Sequence, residues 1–509
     1  MNSDENNKSG IDRRTFLAGL AAGTGALALA ACGGSSDGGS STMAGGSSTT
    51  AGPAGSTGTG TGSTSANEIP SPDGTNRYTL PRPVLPDPTT SGIDHIVLVT
   101  MENRSFDHFL SWVPGAEGMP PNQLFTDNFA QQHAPFLLSA NPDYGFQACN
   151  FADPNHSFAG GRIHLANGAM NGFLLSTATS NTQGDLLPIG FYQAADLDFF
   201  RGVASQYTVS DFYFSGILSE TFPNRIYLHA GATDRLSNTT TVSTLPTIWD
   251  KLAAKNVSAT YFYHDTPFTA LFGNRYTGIS QMFPQFLTQA ANGTLPSFCM
   301  IDPIFSGEAQ GVSADDHPHA DIRNGEALLG QIYDALRTGP NWDRTLMIVV
   351  YDEWGGFHDH VVPPTRPMSD AETTLGNDGK LGFRVPCVLL GPRVPAATVT
   401  RFPFDPSSIH QLIQWRFGID PVGVRGNAPG TFNLAYALDF TRPARTDAPA
   451  IPVAPGPFGS ACPIPAPAAP ASGASGAVAK ASMAAEISNE IPRFTDVREL
   501  ADTFGFPRP

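Results

Sequence analysis

The sequence predicts an α/β protein, a three-layer α/β/α sandwich around a mostly parallel central sheet, and three observations carry that prediction. Six apolar, β-rich runs recur: HIVLVTM (95–101), YTVSDFYF (207–214), SATYFYH (258–264), SFCMID (297–302), TLMIVVYD (345–352) and PCVLLG (386–391). Most are continuous rather than alternating, the pattern of strands covered on both faces. Helical segments lie between some of them. In TLPTIWDKLAAKN one face carries Leu245, Ile248, Trp249 and Leu252; in NGEALLGQIYDALRTG it carries Leu328, Leu329, Ile332 and Leu336, and Gly339 marks the end. Two-sided strands alternating with one-sided helices require a sheet between helix layers.

From the N-terminus, IDRRTFLAGLAAGTGALALAAC places Arg13 and Arg14 before a mild, glycine-interrupted apolar run that stops at Cys32. Residues 1–32 therefore read as a twin-arginine export signal rather than a spanning helix. Leu29-Ala30-Ala31-Cys32 resembles a lipoprotein cleavage box, so Cys32 is expected to be acylated and to anchor the exported protein to a membrane at the periplasm or cell surface. Residues 33–91, rich in Gly, Ser and Thr and then in Pro, have too little apolar surface to offset their conformational entropy and are expected to act as a tether. The main folded domain is expected over 92–440, a Pro/Ala-rich low-complexity segment over 441–492, and a short docking helix over 493–509, where Phe494, Val497, Leu500, Ala501 and Phe504 fall near helical spacing.

Composition narrows the partners. A net charge of −16 argues against nucleic acid and against a simple electrostatic membrane binder. With Cys32 assigned to lipid, Cys149, Cys299, Cys387 and Cys462 remain, widely spaced and without a CxxC pair, so disulfides are favoured over a zinc–thiolate site. Three pairings are open.

In parallel sheets, ligands bind beyond the carboxyl ends of the strands. The first run empties into Glu102, Asn103, Asp107 and His108. The SFCMID run ends at Asp302, and Asp315, Asp316, His317, His319 and Asp321 follow. The TLMIVVYD run ends in Asp352 and Glu353, then Gly355-Gly356, then His358, Asp359 and His360. Each cluster alone has a bland reading as turn formers or helix-entry acids; three clusters at one sheet edge point to a shared site. Carboxylates with Asn and His suit a divalent metal ion. Adjacent strand residues face opposite ways, so Asp352 and Glu353 converge only where the strand has ended and the glycines allow a turn. In SETFPNRIYLHAG, Thr221 lies near a helix N-cap ahead of Pro223. There it either caps the helix or presents a hydroxyl to a phosphate-like anion beside the metal. Asn224 and Arg225 are placed to orient phosphoryl oxygens, or Arg225 pairs with a structural acid.

These segments, ENRSFDHF, TFPNRIYLHAG, DDHPHADIRNGE and WDRTLMIVVYDEWGGFHDHV with Pro363-Pro364, resemble the bacterial phosphoesterase family of phospholipases C and acid phosphatases, in the family's order and over roughly Asp94 to Gly391. The resemblance implies an alkaline-phosphatase-like fold. It implies that Glu102, Asn103, Asp352 and Glu353 hold the metal, that Thr221 is the nucleophile, and that His156 and His317 lie near the phosphate and leaving group, with His358 and His360 in the same pocket. The chain departs from the family's larger phospholipases in lacking β-rich domains after the catalytic one, and His319 stands where many members have a second Pro. The expectation is a metal-assisted phosphoesterase of phospholipase C type acting on phosphatidylcholine-type lipids. An acid phosphatase is the alternative within the family, and a non-catalytic surface-binding lipoprotein the alternative outside it.

Overall fold

All six apolar runs fold into one sheet. The computed structural model describes residues 80–149, 151–175, 185–462 and 492–508; the export signal, Cys32, the tether up to residue 79 and residues 463–491 lie outside the described residues. The strands are β1 (His95–Met101), β2 (Phe125–Thr126), β3 (Gln132–His133), β4 (Phe136–Leu137), β5 (Gly190–Phe191), β6 (Thr208–Ser210), β7 (Ala259–Tyr263), β8 (Ser280–Met282), β9 (Phe298–Ile301), β10 (Thr345–Tyr351), β11 (Cys387–Leu390) and β12 (Thr398–Thr400). The helices are α1 (Phe106–Leu110), α2 (Phe158–Leu165), α3 (Asp198–Gln206), α4 (Thr221–Ala230), α5 (Ile248–Ala254), α6 (Phe283–Asn292), α7 (Ile322–Thr338), α8 (Asp370–Leu375), α9 (Pro406–Phe417) and α10 (Pro492–Phe504).

Eight strands form the main sheet in the order β12-β6-β11-β10-β1-β9-β7-β8. The pairs β10–β1, β1–β9, β9–β7, β7–β8 and β6–β12 are parallel, whereas β11 is antiparallel to both its neighbours. Hydrophobic periodicity has no direction, so a reversed strand is invisible in the sequence. The central β1, β9 and β10 are buried almost throughout, as expected of strands with helices on both faces. Neighbouring residues of β7 show the two faces: Tyr261 meets Trp249 of α5 and His229 of α4, while Phe262 meets Phe286 of α6. Helix α7 packs on α3 and α6, and α4 packs on α5 and α9, giving the two outer layers. Among the described residues no helix is long and apolar enough to cross a membrane.

The helix ends follow their local chemistry. Thr247 and Asp250 form a capping box on α5, and Asp321 caps α7 by accepting from the Arg323 N–H.

Residues 441–462, the described part of the Pro/Ala-rich segment, pack against the domain. Ile451 is buried, with its side chain filling the space a Cβ on Gly202 would take. Tyr333 donates to Pro449 O at 2.6 Å, and Cys462 is bonded to Cys149. The reason is physical: prolines in an extended segment cost little conformational entropy to dock, and the disulfide ties its end down. Cys299 and Cys387 stay reduced and buried on β9 and β11, so one of the three conceivable pairings is half realised.

Candidate active site

The register of the central strands builds the site. Met101 of β1 pairs with Tyr351 of β10, so the next residues, Glu102 and Asp352, emerge side by side. On the other flank Val99 pairs with Ile301 of β9, which brings out Asp302. Arg225 of α4 reaches into this group, all of it buried. Its Nε and Nη2 donate to Glu102 Oε1 at 3.0 and 2.5 Å, its Nη1 donates to Asp302 Oδ1 at 2.7 Å, and its Nε lies 3.6 Å from Asp352 Oδ2. Burial works against the guanidinium's charge, but the carboxylates of Asp302 and Glu102 override it and raise its pKa. Burial pushes the Asp302 carboxyl up to about 6 despite Arg225. Burial, reinforced by the neighbouring Glu102, pushes Asp352 well above the usual carboxylate range, and its Oδ2 accepts no hydrogen bond.

Asn103 knits the set together from a strained backbone. Its φ of 61° is left-handed, a conformation Asn tolerates better than most residues. Its amide donates to Glu353 Oε1 at 2.6 Å and Glu102 Oε2 at 3.0 Å and accepts from His317 Nε2 at 2.8 Å, the orientation its neighbours require. Asp352 Oδ1 accepts from the Asn103 N–H at 3.1 Å. Gly355 makes the return possible: it has φ +61°, and a Cβ there would lie 2.1 Å from Asn103 O. The turn after β10 thus brings Asp352 and Glu353 inward together, as the two glycines suggested.

Thr221 is the first residue of α4 rather than its cap. The N-cap is Glu220, whose side chain makes no capping bond. The Thr221 hydroxyl donates instead to Glu102 Oε2 at 3.3 Å, so the reading of Thr221 as a helix cap is set aside. Asn224 turns away from the cluster: its Oδ1 accepts from the Ile217 N–H, and its Nδ2 donates to the carbonyls of Ser219 and Glu220. It holds the loop that presents Thr221, and Arg225 pairs with the buried acids. Both residues, expected to orient phosphoryl oxygens, have the hydrogen bonds just given within the protein.

His156 and His317 converge beside this centre, their ring centroids 6.1 Å apart. His156 Nε2 lies 3.8 Å from Glu353 Oε1, and its Nδ1 bonds to Pro154 O at 2.7 Å. His317 donates from both nitrogens, Nε2 to Asn103 and Nδ1 to Pro318 O at 3.1 Å. With an acceptor beside each nitrogen, the ring is placed to carry a proton on both. Two carboxylates flank it, Asp153 Oδ2 3.6 Å from Nε2 and Glu308 Oε1 3.5 Å from Nδ1.

His358 and His360, expected in the same pocket, have their hydrogen bonds elsewhere. His358 Nε2 meets Met119 Sδ at 3.0 Å, and burial lowers its pKa to about 4. His360 Nδ1 bonds to Asp107 Oδ2 at 2.6 Å, in a network where Arg384 donates to Asp107 and Asp359. Ser105 Oγ, at the head of α1, donates to His358 O at 2.5 Å and draws this stretch toward α1. Asp107, Asp359 and His360 have ligand atoms within 4.8 Å of one another, but both acids there already pair with Arg384 and one of them with His360.

Around Arg225 and Asn103 the arrangement differs: one guanidinium lies against the buried carboxyls of Glu102, Asp302 and Asp352, and Glu353 joins them through the Asn103 amide. An oxygen-rich, acid-surplus set with an unbonded Asp352 oxygen fits a hard divalent cation. Asp153, His156 and His317, whose ligand atoms also lie within 4.8 Å of one another, form a nitrogen-containing flank. Asp153 and Glu308 were missed in the sequence. Asp153 carried a faint signal, three residues before His156; Glu308 carried none.

A model of the phosphoesterase family matches residues 93–420. The chain is similar to non-specific phospholipase C3 of Arabidopsis thaliana, 28% identical over 64% of this chain and 68% of that protein. It is 30% identical to non-specific phospholipase C6 of the same plant, over 61% and 63%, and 28% identical to phospholipase C A of Mycobacterium tuberculosis, over 69% and 79%. The match thus spans about two thirds of the plant relatives' length. Among solved structures, the lipoteichoic acid synthase LtaP from Listeria monocytogenes aligns over 70% of this chain and 80% of its own at 9% identity and a TM-score of 0.36, too loose a likeness to argue from.

Proposed function

This chain belongs to the phosphoesterase family and is a hydrolase of phosphoric ester bonds, and from that premise we propose that it is a phospholipase C that cleaves phosphatidylcholine-type lipids with Thr221 as nucleophile. The observation that carries the proposal is the Thr221 hydroxyl, which is released from capping and bonds to Glu102 inside the acid-surplus cluster. Similarity to phospholipases C supports the lipid substrate.

Glu102, Asn103, Asp352 and Glu353 would hold a divalent cation, which supplies positive charge to the phosphoryl oxygens and lowers the pKa of a nearby hydroxyl. The rest falls to the chain's own groups. The Thr221 proton leaves toward Glu102 Oε2 while Oγ1 attacks phosphorus. As the bond from phosphorus to the diacylglycerol oxygen breaks, the His317 imidazolium gives that oxygen its proton. Water then attacks the phosphothreonine and passes a proton to His317, and Thr221 leaves with the proton from Glu102. Phosphocholine is released and every group is restored. Arg225 holds Glu102 in place, and Asn103 orients the His317 ring through Nε2.

Export by the twin-arginine route and a lipid anchor at Cys32 belong to the same proposal; Arg13-Arg14 and Leu29-Ala30-Ala31-Cys32 support them, and the Cys149–Cys462 disulfide suits an oxidising compartment.

The test compares Thr221→Ala and Thr221→Ser with wild type on chromogenic phosphate mono- and diesters and on phosphatidylcholine, following diacylglycerol and phosphocholine. The alanine variant is expected to lose about 10³-fold or more in kcat, while the serine variant keeps measurable turnover. Equal rates for alanine and wild type would remove Thr221 as nucleophile. Phosphate release from monoesters without lipid cleavage would make the protein an acid phosphatase. No turnover of any substrate with divalent cations supplied would leave a binding lipoprotein.

A further inference from the structure

Helix α10 lies beyond the stretch that matches the family, yet it reaches the catalytic centre. It docks through Phe494, Val497 and Ala501, buried at helical spacing, and Phe506 follows. The Phe494 ring meets Phe268 at 6.0 Å, Phe305 at 4.9 Å and the imidazole of His317 at 6.0 Å, the last with ring planes 81° apart. Arg498 Nη1 donates to Ser306 Oγ at 2.9 Å and Thr266 Oγ1 at 3.2 Å, and Tyr263 donates to Pro507 O at 2.5 Å. These partners lie at the end of β7 or just after β7 and β9, at the edge where Asp302 and Glu308 emerge. The segment ending at Cys462 grips the same region, for the Cys462 N–H donates to Ala309 O at 2.8 Å, one residue from Glu308.

His317 is thus held at its nitrogens by Asn103, Asp153, Glu308 and the Pro318 carbonyl, and at its ring by Phe494. Polar contacts set where the protons point, whereas an edge-to-face aromatic contact limits how far the ring can tilt. We propose that Phe494 is a positioning residue for His317, so that the C-terminal helix forms part of the active-site wall and sharpens proton delivery to the leaving group. The proposal rests on the reading of His317 as the acid given above.

Leaving-group chemistry separates this role from a merely structural one. A nitrophenolate departs without a proton, whereas the alkoxide of diacylglycerol needs one. Full-length Phe494→Ala, Phe494→Leu and His317→Ala are compared with wild type on phosphatidylcholine and on p-nitrophenyl phosphocholine. Phe494→Ala is expected to lose about tenfold in the single-turnover rate of leaving-group release on the lipid and less than about twofold on the nitrophenyl ester, with KM unchanged on both. Phe494→Leu, which keeps much of the buried volume, is expected to recover part of the loss. His317→Ala is expected to show the same split at about 10²- to 10⁴-fold in that first step, which precedes the phosphothreonine hydrolysis both substrates share. If His317→Ala loses equally on both substrates in that step, the acid assignment fails and the proposal with it. If His317→Ala splits the substrates and Phe494 variants of normal Tm do not, the acid stands and the positioning role is overturned. Should Phe494→Ala fail to fold, Phe494→Leu decides by the same split.

Discussion

Arg225→Met removes the one guanidinium at the centre of the acid cluster while keeping a long side chain in its place. In the structure that guanidinium bonds to Glu102 and Asp302, and all three side chains are fully buried. Breaking a buried ion pair from one side costs about 3–5 kcal/mol, because the partner is left as an uncompensated charge. The two pairs share one cation, so the cost is counted once. For a domain of this size it corresponds to a fall in Tm of about 4–6 °C. The sign of the pH dependence follows from Asp302. Burial already raises its carboxyl to about 6 with Arg225 present, so the folded state holds a proton that the unfolded state has released. Its contribution to stability therefore declines as pH rises from about 4 to about 6. Without Arg225 that carboxyl rises further, and the deficit should be small near pH 5, where Asp302 is protonated, and largest above about pH 7. Melting is followed by differential scanning fluorimetry, wild type beside variant, with a chelator present so that bound cations do not mask the loss. A deficit that is the same at both pH values, or absent, would refute the view that Arg225 neutralises a buried surplus of acid.

Three further outcomes are expected. Gly355→Ala should destabilise by about 2–4 kcal/mol and cost most of the activity, because its Cβ would lie 2.1 Å from Asn103 O and the site asparagine must move; normal turnover would mean that the close approach is dispensable. Reducing or replacing the Cys149–Cys462 bond, which spans 313 residues of sequence, should cost about 2–4 kcal/mol; identical melting with and without reductant would refute this. Burial works against protonation of His360, but the Asp107 carboxylate overrides it and raises the pKa. The stability this lends is complete below about pH 6.5 and is lost as pH rises through the raised value. Wild type should lose Tm over that range more steeply than His360→Gln, and parallel curves would remove His360 as the cause.

The sequence by itself determined the sheet's central strands and the acids at their ends. Continuous apolar runs report burial on both faces, and chain continuity obliges Glu102, Asp302 and Asp352 to follow directly after β1, β9 and β10. Gly355-Gly356 likewise marked the turn that aims Asp352 and Glu353 inward. Local pattern extends no further than its own segment. It left β11 without a direction, the hydrogen-bond partners of His358, His360 and Asn224 unassigned, and the chain through Cys462 looking unstructured.

Only the tertiary structure decided the rest, because those features join residues far apart in the chain. The register Met101–Tyr351 sets Glu102 beside Asp352, and α4 sends Arg225 between the acids. Helix packing orients Thr221 toward Glu102 instead of its own N-terminus. The choice of Cys149 and Cys462 as partners depends on where residues 441–462 dock. Glu308 and Phe494 reach His317 from loops and a helix that carry no motif. A side chain's type shows in the sequence, but its partner is chosen by the packing of every layer between them.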